Sequence, residues 1–387
     1  MSTEEIDLVS AAPVPEEPAL EENDRVYVAT QWQLMWWKFR RHKLAMISAV
    51  VVILSYLVAI LCEFIAPYDP NTRLAAFTYA PPQRIHVRDE SGRFVAPFVY
   101  ALGREQDPRT LRWTYKEDRT TRYPLKLFAK GDAYKLWGLW ETDRHLLGIE
   151  APAGSKVAFS LLGRDRLGRD MISRVIYGTR VSMSIGLVGV ALSLTLGIVL
   201  GGFSGYYGGF VDNVIQRTIE FIRSMPTIPL WMALAAAVPP GWPPLRVYFA
   251  ITVILSLISW TGMARVVRGR FLSLREEDFV MAARLSGSNE LRVILRHMVP
   301  SFTSHIIASI TLSIPGMILS ETSLSFLGLG LRPPVVSWGV LLQEAQNVRS
   351  VALAPWLLLP GLAVVIAILS FNFLGDGLRD AADPYGR

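Results

Sequence analysis

Apolar residues in this chain are gathered into long runs that polar segments separate. Leu44–Cys62 contains no charged residue, and Val181–Phe203 contains none either. About 20 consecutive apolar residues suffice for one helix to cross the hydrocarbon core of a bilayer. Weaker or proline-interrupted runs follow at Ile222–Val238, Val247–Met263, Ile306–Leu329 and Ala354–Phe373. The pattern predicts an all-α membrane protein with six transmembrane helices.

Proline interrupts the later runs. Pro226 and Pro229 lie in the third run, Pro315 lies in the fifth and Pro360 in the sixth. Such residues are tolerated in a membrane where neighbouring helices or a water-filled cavity satisfy the freed backbone groups. We therefore expect a packed bundle with a pathway, rather than six helices that each face lipid.

Positive charges indicate which side of the membrane each loop faces, because lysine and arginine near a span end favour the cytoplasm. Four of them directly precede the first run: Lys38, Arg40, Arg41 and Lys43. Seven arginines lie between the fourth and fifth runs: Arg265, Arg268, Arg270, Arg275, Arg284, Arg292 and Arg296. The short loop at 239–246 holds one arginine and should face outward. With six spans, the N- and C-termini are then both cytoplasmic.

Four regions follow from these assignments: a cytoplasmic tail with an interfacial helix (1–43), the first transmembrane helix (44–66), an extracytoplasmic insertion (67–176) and a five-helix transmembrane core with a cytoplasmic loop at 265–304 (177–387). The interfacial helix is expected at Thr30–Lys43, where Trp36 and Trp37 would lie at the level of the lipid headgroups. Runs such as "RFVAPFVYAL" in the insertion indicate strands.

Composition supports a membrane protein and shows no sign of an enzyme. The chain is 51% hydrophobic and 19% charged, whereas soluble domains carry about 25% charged residues. The net charge of +6 gives no nucleic-acid signal. One cysteine and five scattered histidines offer no metal site. No Gly-Lys pair completes a phosphate-binding loop, so another chain must bind ATP if ATP drives this protein.

The arginine-rich loop contains the segment "EEDFVMAARLSGSNELRVILRHMVPS", which predicts two helices joined at Gly287. Ser273 and Glu276 have the spacing of a capping box, and Gly287 can end the first helix in a left-handed conformation. Ser288 can cap the second helix, which Pro300 ends. The first helix would present a narrow face for packing on another protein: Phe279, Ala282, Ala283 and Ser286. The second would carry an apolar stripe: Leu291, Ile294, Leu295 and Met298.

This segment resembles the coupling loop, or EAA loop, of ATP-binding-cassette (ABC) importer permeases. Ala282, Ala283, Gly287 and Pro300 match the spacing of that motif, and Met281 stands where the family usually has Glu. Further stretches are similar to oligopeptide and dipeptide permeases: Leu161–Met183, Gly205–Asp212, Glu321–Pro334, Ser337–Gly339 and Phe371–Pro384. The resemblance covers residues 31–66 and 160–387 and identifies a C-type permease subunit.

The resemblance implies the type I ABC importer permease fold, with the strand-containing insertion after the first span. It also implies a second permease subunit, two cytoplasmic ABC ATPases that hold ATP and Mg²⁺, an extracytoplasmic solute-binding protein and a bacterial inner-membrane location. Peptides are the expected solute, and oligosaccharides, opines or nickel complexes are the alternatives. A transporter driven by an ion gradient is the rival class, since broken helices fit it, but acidic residues are scarce within the spans.

Three groups of residues are candidates for sites. The coupling group comprises Glu276, Phe279, Ala282, Ala283, Arg284, Gly287 and Pro300. The substrate-pathway group comprises Met225, Pro226 and Glu321. The binding-protein docking group comprises Asp165, Arg166, Arg169 and Asp170. Two of the groups have a structural alternative. For Glu321 it is hydrogen bonding to neighbouring serines, Ser320 and Ser323, and for the docking group it is a salt-bridge network within the loop.

Overall fold

The structure is a computed structural model that describes residues 30–89, 92–106, 108–109, 113–149 and 159–382. The predicted tail before Thr30 lies outside the described residues. The chain begins with helix α1, Gln31–Arg41, in the place of the expected interfacial helix. Thr30 caps it, since its hydroxyl accepts from the backbone N–H of Gln33 at 3.4 Å while the Gln33 side chain accepts from the backbone N–H of Thr30 at 2.9 Å.

Five helical segments among the described residues are long and apolar enough to cross a membrane. Helix α2, Lys43–Ile60, is the first, and the short helix α3, Cys62–Ile65, follows it. The others are α4, Met171–Tyr207; α7, Pro244–Leu274; most of α11, Thr303–Phe326; and the pair formed by the 3-10 turn Pro355–Leu358 and α14, Leu359–Ala382.

The third predicted span, Ile222–Val238, is not one helix. The chain instead forms α5, Gly209–Ser224, and α6, Thr227–Ala236. Met225 between them is extended, with φ −88° and ψ 140°, because the ring of a following proline, here Pro226, disfavours helical geometry. The ten residues of α6 reach only about 15 Å, half the thickness of a bilayer core.

The second span begins earlier than predicted. Helix α4 starts at Met171, six residues before the boundary at 177 that the sequence predicts between the insertion and the core. The physical reason is a cap: Asp170 Oδ2 accepts from the backbone N–H of Ser173 at 2.8 Å, which stabilises the first turn.

Helices α4 and α7 pack closely along a line of glycines. Gly197, Gly201 and Gly205 are spaced by four residues in α4 and face α7. A Cβ at Gly201 would lie 2.9 Å from the Cα of Ala264, and closer still to the carbonyl oxygen of that residue. Small residues let two backbones approach where no water-driven force holds membrane helices together.

The insertion contains a four-stranded antiparallel sheet in the order β1-β2-β3-β4, which confirms the predicted strands. The strands are β1, His86–Arg88; β2, Phe94–Gln106; β3, Trp113–Leu136; and β4, Trp140–Ile149. The β3–β4 hairpin is held to the end of the first span, since His145 Nδ1 lies 2.5 Å from the carbonyl oxygen of Ala66. The sheet therefore sits at one end of the helical bundle.

The remaining helices form two loops at the ends of the bundle. The arginine-rich loop holds α8, Asp278–Leu285; α9, Glu290–Arg292; a π-helical turn, Val293–Met298; and α10, Val299–Ser301. The loop between α11 and α14 holds α12, Trp338–Gln343; a 3-10 turn, Glu344–Gln346; and α13, Val348–Leu353. These two loops lie at opposite ends of the spans, because α11 starts at one and ends at the other.

Candidate functional site

The glycine corner of the arginine-rich loop forms as predicted. Gly287 has φ +78°, the left-handed region that glycine adopts without strain. The backbone N–H of Gly287 donates to Arg284 O at 2.9 Å, and the N–H of Ser288 donates to Ala283 O at 3.1 Å. These bonds satisfy the last carbonyls of α8 and fix the angle at which the chain leaves that helix.

Both predicted helix caps in this loop are wrong. Ser273 lies in the last turn of α7, and α8 starts after Glu277 with no side-chain cap. The second helix is capped by Asn289, whose Oδ1 accepts from the backbone N–H of Arg292 at 2.8 Å. Each cap was placed from spacing alone, whereas α7 extends further than its apolar run.

The predicted partner-facing residues of α8 are exposed except Ala283, and half of the predicted apolar stripe of the second helix is buried. In α8, Val280 and Ala283 are buried, while Phe279, Ala282 and Ser286 are exposed. In the second helical stretch the buried residues are Val293, Ile294 and Met298, whereas Leu291 and Leu295 are exposed. The π turn Val293–Met298 is wider than an α-helical turn, which moves Leu295 off the face that Ile294 and Met298 share.

The buried residues of this loop pack on the ends of two spans. Val280, Ala283 and Met298 belong to one cluster with Tyr206 of α4 and Phe271 of α7. The cluster is continuous, so α8 cannot shift without displacing the ends of α4 and α7. This arrangement can transmit a displacement of the loop into the spans.

The opposite side of α8 is an outward apolar surface, which we call the coupling surface and define as Phe279, Met281, Ala282 and Leu285. Leu285 is 89% exposed, and Phe279 and Met281 are also exposed. The predicted residue Glu276 is exposed beside this surface, and the guanidinium of Arg284 lies 4.7 Å from the ring centroid of Tyr206. An apolar surface of this kind fits a contact with another protein.

Two pairs that the sequence analysis missed brace this end of the bundle. Arg268 of α7 donates to both carboxylate oxygens of Asp212 in α5, at 2.5 Å each. These hydrogen bonds hold the pKa of Asp212 below its usual value. The hydroxyl of Tyr207 donates to Glu290 Oε2 at 2.6 Å, which ties the end of α4 to α9. Asp212 ends the stretch Gly205–Asp212, but its arginine partner lies far away along the chain.

The predicted docking group is mostly an internal network, as in the alternative interpretation. Asp165 is buried and accepts from Arg169 Nε at 2.6 Å and also from Arg174. Asp170 is buried as the cap of α4, and burial raises its pKa. Asp165, Arg169 and Asp170 are therefore engaged within the protein, and their role in docking stays a prediction. Arg166 alone of the four is exposed.

A polar cavity of about 510 Å³ opens beside this network. Three arginines line it, Arg166, Arg169 and Arg174, together with two carboxylates, Asp165 and Glu344. Arg174 is buried, and its Nε has no hydrogen-bond partner in the structure. Burial raises the pKa of Glu344, which accepts from the backbone N–H of Arg166 at 3.0 Å. Arg169 and Arg174 pair with Asp165, so Arg166 is the arginine of the lining that stays exposed.

Glu321 is fully buried and joins three elements. Its Oε1 accepts from Ser325 at 2.8 Å and from Ser337 at 2.7 Å, and its Oε2 accepts from Ser182 at 3.3 Å. The structural alternative holds, but with these serines instead of Ser320 and Ser323, which were chosen only as neighbours in the chain. Glu321 therefore does not line an open pathway here.

The other two pathway candidates lie elsewhere. Met225 and Pro226 are exposed at the break between α5 and α6, and no described hydrogen bond or ion pair joins them to Glu321. Their role in a pathway stays a prediction. Within the described parts of the chain, no group of three or more His, Cys, Asp or Glu side chains could hold a metal ion.

Comparison with known proteins agrees with this geometry. Residues 197–385 match the family described as binding-protein-dependent transport system inner membrane component. Residues 30–82 match the N-terminal transmembrane domain of oligopeptide transport permease C. The sheet lies between the two matched regions.

Individual relatives are similar over most of their length. The oligopeptide transport system permease protein OppC of Haemophilus influenzae is 36% identical over 64% of this chain and 76% of that protein. The dipeptide transport system permease protein DppC of Lactococcus lactis is 29% identical over 91% of this chain and 90% of that protein. The glutathione transport system permease protein GsiD of Pectobacterium atrosepticum is 38% identical over 58% of this chain and 72% of that protein.

These relatives are transport subunits of the inner membrane and not enzymes. The five apolar spans, the helical bundle and the glycine-cornered loop of this chain fit that role. The chain therefore belongs to the family of inner-membrane permease subunits of binding-protein-dependent ABC importers, in its oligopeptide and dipeptide branch.

Proposed function

We propose that this chain imports peptides together with a second permease subunit, two cytoplasmic ABC ATPases and an extracytoplasmic solute-binding protein. The ATPases hold ATP and Mg²⁺. Both termini of this chain lie in the cytoplasm, with the broken pair α5 and α6 making the sixth crossing beside the five long spans. The relatives are named as oligopeptide, dipeptide and glutathione permeases, which supports a peptide as the solute. Oligosaccharides, opines and nickel complexes are the alternative solutes. Uptake assays with a panel of these compounds and peptides distinguish them.

The coupling surface carries the proposal. Its apolar residues face away from the bundle, whereas the other side of the same helix packs on α4 and α7. A partner that seats Leu285 and Phe279 would displace α8 as it moves. The displacement would pass through the cluster around Phe271 to the spans, which would alternate between two openings at the interface with the second permease subunit.

The corner at Gly287 tests the proposal. A valine at φ +78° is strained, since β-branched residues rarely adopt a positive φ. Gly287→Val should therefore rotate α8 relative to α9 and uncouple peptide uptake from ATP hydrolysis. In proteoliposomes with all partner subunits, we expect ATP hydrolysis to continue while peptide uptake falls.

Gly92→Val is the matched control. Gly92 also has a positive φ, +79°, and no atom lies within 4 Å of a Cβ built on either glycine. The two substitutions therefore impose similar local strain at opposite ends of the protein. Uptake in the Gly287 variant that equals uptake in the Gly92 variant would contradict the proposed coupling. Uptake that needs an ion gradient and no ATP would favour a secondary transporter instead.

A further inference from the structure

The β3–β4 hairpin runs back along the chain that leaves the first span. At its tip, the indole Nε1 of Trp137 donates to the carbonyl oxygen of Ile60 at 2.8 Å. Further from the tip, Phe128 lies 5.9 Å from Phe64 between ring centroids, and His145 contacts Ala66. The contacts follow the chain outward in order, so the tip points toward the membrane.

The depth of the tip follows from the length of the first span. Helix α2 has 18 residues and ends at Ile60, so it is about 27 Å long, close to the thickness of the hydrocarbon core. Ile60 therefore lies near the boundary between acyl chains and headgroups. Arg180 marks the same level, because it donates to the carbonyl oxygens of Ala59 and Ile60 and pairs with Glu63. Arginines at a span end extend to the headgroup region in this way.

The tip has the composition of a membrane-interface segment. Residues 137–140 read Trp-Gly-Leu-Trp and carry no charge. Trp137 is 48% exposed, Leu139 73% and Trp140 60%. Tryptophan is enriched at the interface between membrane and water. The first charges behind the tip are Lys135 and Glu141, which lie opposite each other in the register.

We propose that the tip, residues 137–140, inserts into the outer leaflet at the boundary between headgroups and acyl chains and anchors the sheet to the lipid surface. The inserted groups are the side chain of Leu139 and the ring of Trp140, and the Trp137 ring lies beside Ile60 at the rim. The anchor belongs to the segment between the two family matches and does not depend on the proposed transport function. The alternative to lipid is that a second permease subunit or the binding protein covers the tip.

Spin labelling of the full chain in lipid nanodiscs of phosphatidylethanolamine and phosphatidylglycerol tests the anchor. The single cysteine is removed by Cys62→Ala, and a nitroxide is placed at Leu139→Cys. Thr114→Cys is the control, because it is exposed near the start of β3, at the other end of that 24-residue strand from the tip. Collisions with oxygen, which concentrates in lipid, are compared with collisions with a water-soluble nickel chelate.

We expect the ratio of oxygen to nickel collisions to be several-fold higher at position 139 than at position 114. Equal ratios would overturn the proposal, since the tip would then lie in water. Low collision rates with both reagents at position 139 would also overturn it, because another protein surface would then cover the tip.

Photolabelling of the unmodified chain gives an independent result, in case the cysteine variants fold poorly. A carbene reagent confined to the lipid phase is activated in the same nanodiscs, and tryptic peptides are compared. We expect strong labelling of the peptide Leu136–Arg144 and little labelling of Trp113–Lys116, which also carries an exposed tryptophan, Trp113. The absence of label from Leu136–Arg144 would refute insertion.

Discussion

The glycine line between α4 and α7 allows a sharp test of the packing. In Gly201→Ala, the new Cβ would lie 2.9 Å from the Cα of Ala264, whereas carbon atoms in contact prefer about 3.5–4.0 Å. The neighbouring atoms are backbone and cannot rotate away, so the two helices must separate by roughly 1 Å.

Gly269 provides the matched control, because it lies in α7 and no atom is within 4 Å of a Cβ built there. Alanine stabilises an open helix position by about 1 kcal/mol relative to glycine. Overpacking costs about 1–3 kcal/mol, and the rigid backbone contact at Gly201 places this site at the upper end. We therefore expect a net loss of about 2 kcal/mol in the free energy of unfolding for Gly201→Ala, and a gain of about 1 kcal/mol for Gly269→Ala.

The assay is denaturant unfolding of each variant in the same mild detergent. Unfolding is monitored by the loss of the monodisperse peak in size-exclusion chromatography. Wild-type protein and both variants are compared at equal concentration. If Gly201→Ala proves as stable as Gly269→Ala, then the close approach of α4 and α7 does not exist in the molecule. The reasoning that derives helix separation from the glycine line would then fail.

Two further predictions concern the end of the bundle opposite the coupling surface. Glu321→Ala leaves three buried hydroxyl donors without their acceptor, so the free energy of unfolding should fall by about 3 kcal/mol. Glu321→Gln should lose less. Equal stability of Glu321→Ala and wild type in the same unfolding assay would contradict the role of this carboxylate. Arg166→Glu should weaken stimulation of ATP hydrolysis by the loaded binding protein, because it reverses the charge at the mouth of the cavity. Arg119 is also exposed but lies outside the cavity lining, so Arg119→Glu should not weaken the stimulation. Equal stimulation of the two variants would contradict docking at the cavity.

Local rules predicted those parts of the fold whose energetics are local. An uncharged apolar run such as Leu44–Cys62 has no stable state in a bilayer except a helix that satisfies its own backbone, and α2 follows that rule. Gly287 is similar, since only the conformational preference of one residue decides the corner. The break at Met225 also has a local cause, because a proline restricts the conformation of the residue before it. The apolar run of the third span alone indicates a continuous helix, and the restriction at Met225 overrides it.

The chemistry of the charged groups was decided only by tertiary structure. Asp165 reads from the sequence as an accessible acid, and it is buried because Arg174, one turn into α4, closes over it. Hydrogen bonding of Glu321 to serines is one of the sequence-based alternatives, but its partners Ser182 and Ser337 come from other elements and only packing identifies them. A charge in a membrane protein is stable only with its partners, and partners that are distant along the chain are fixed by packing rather than by local sequence.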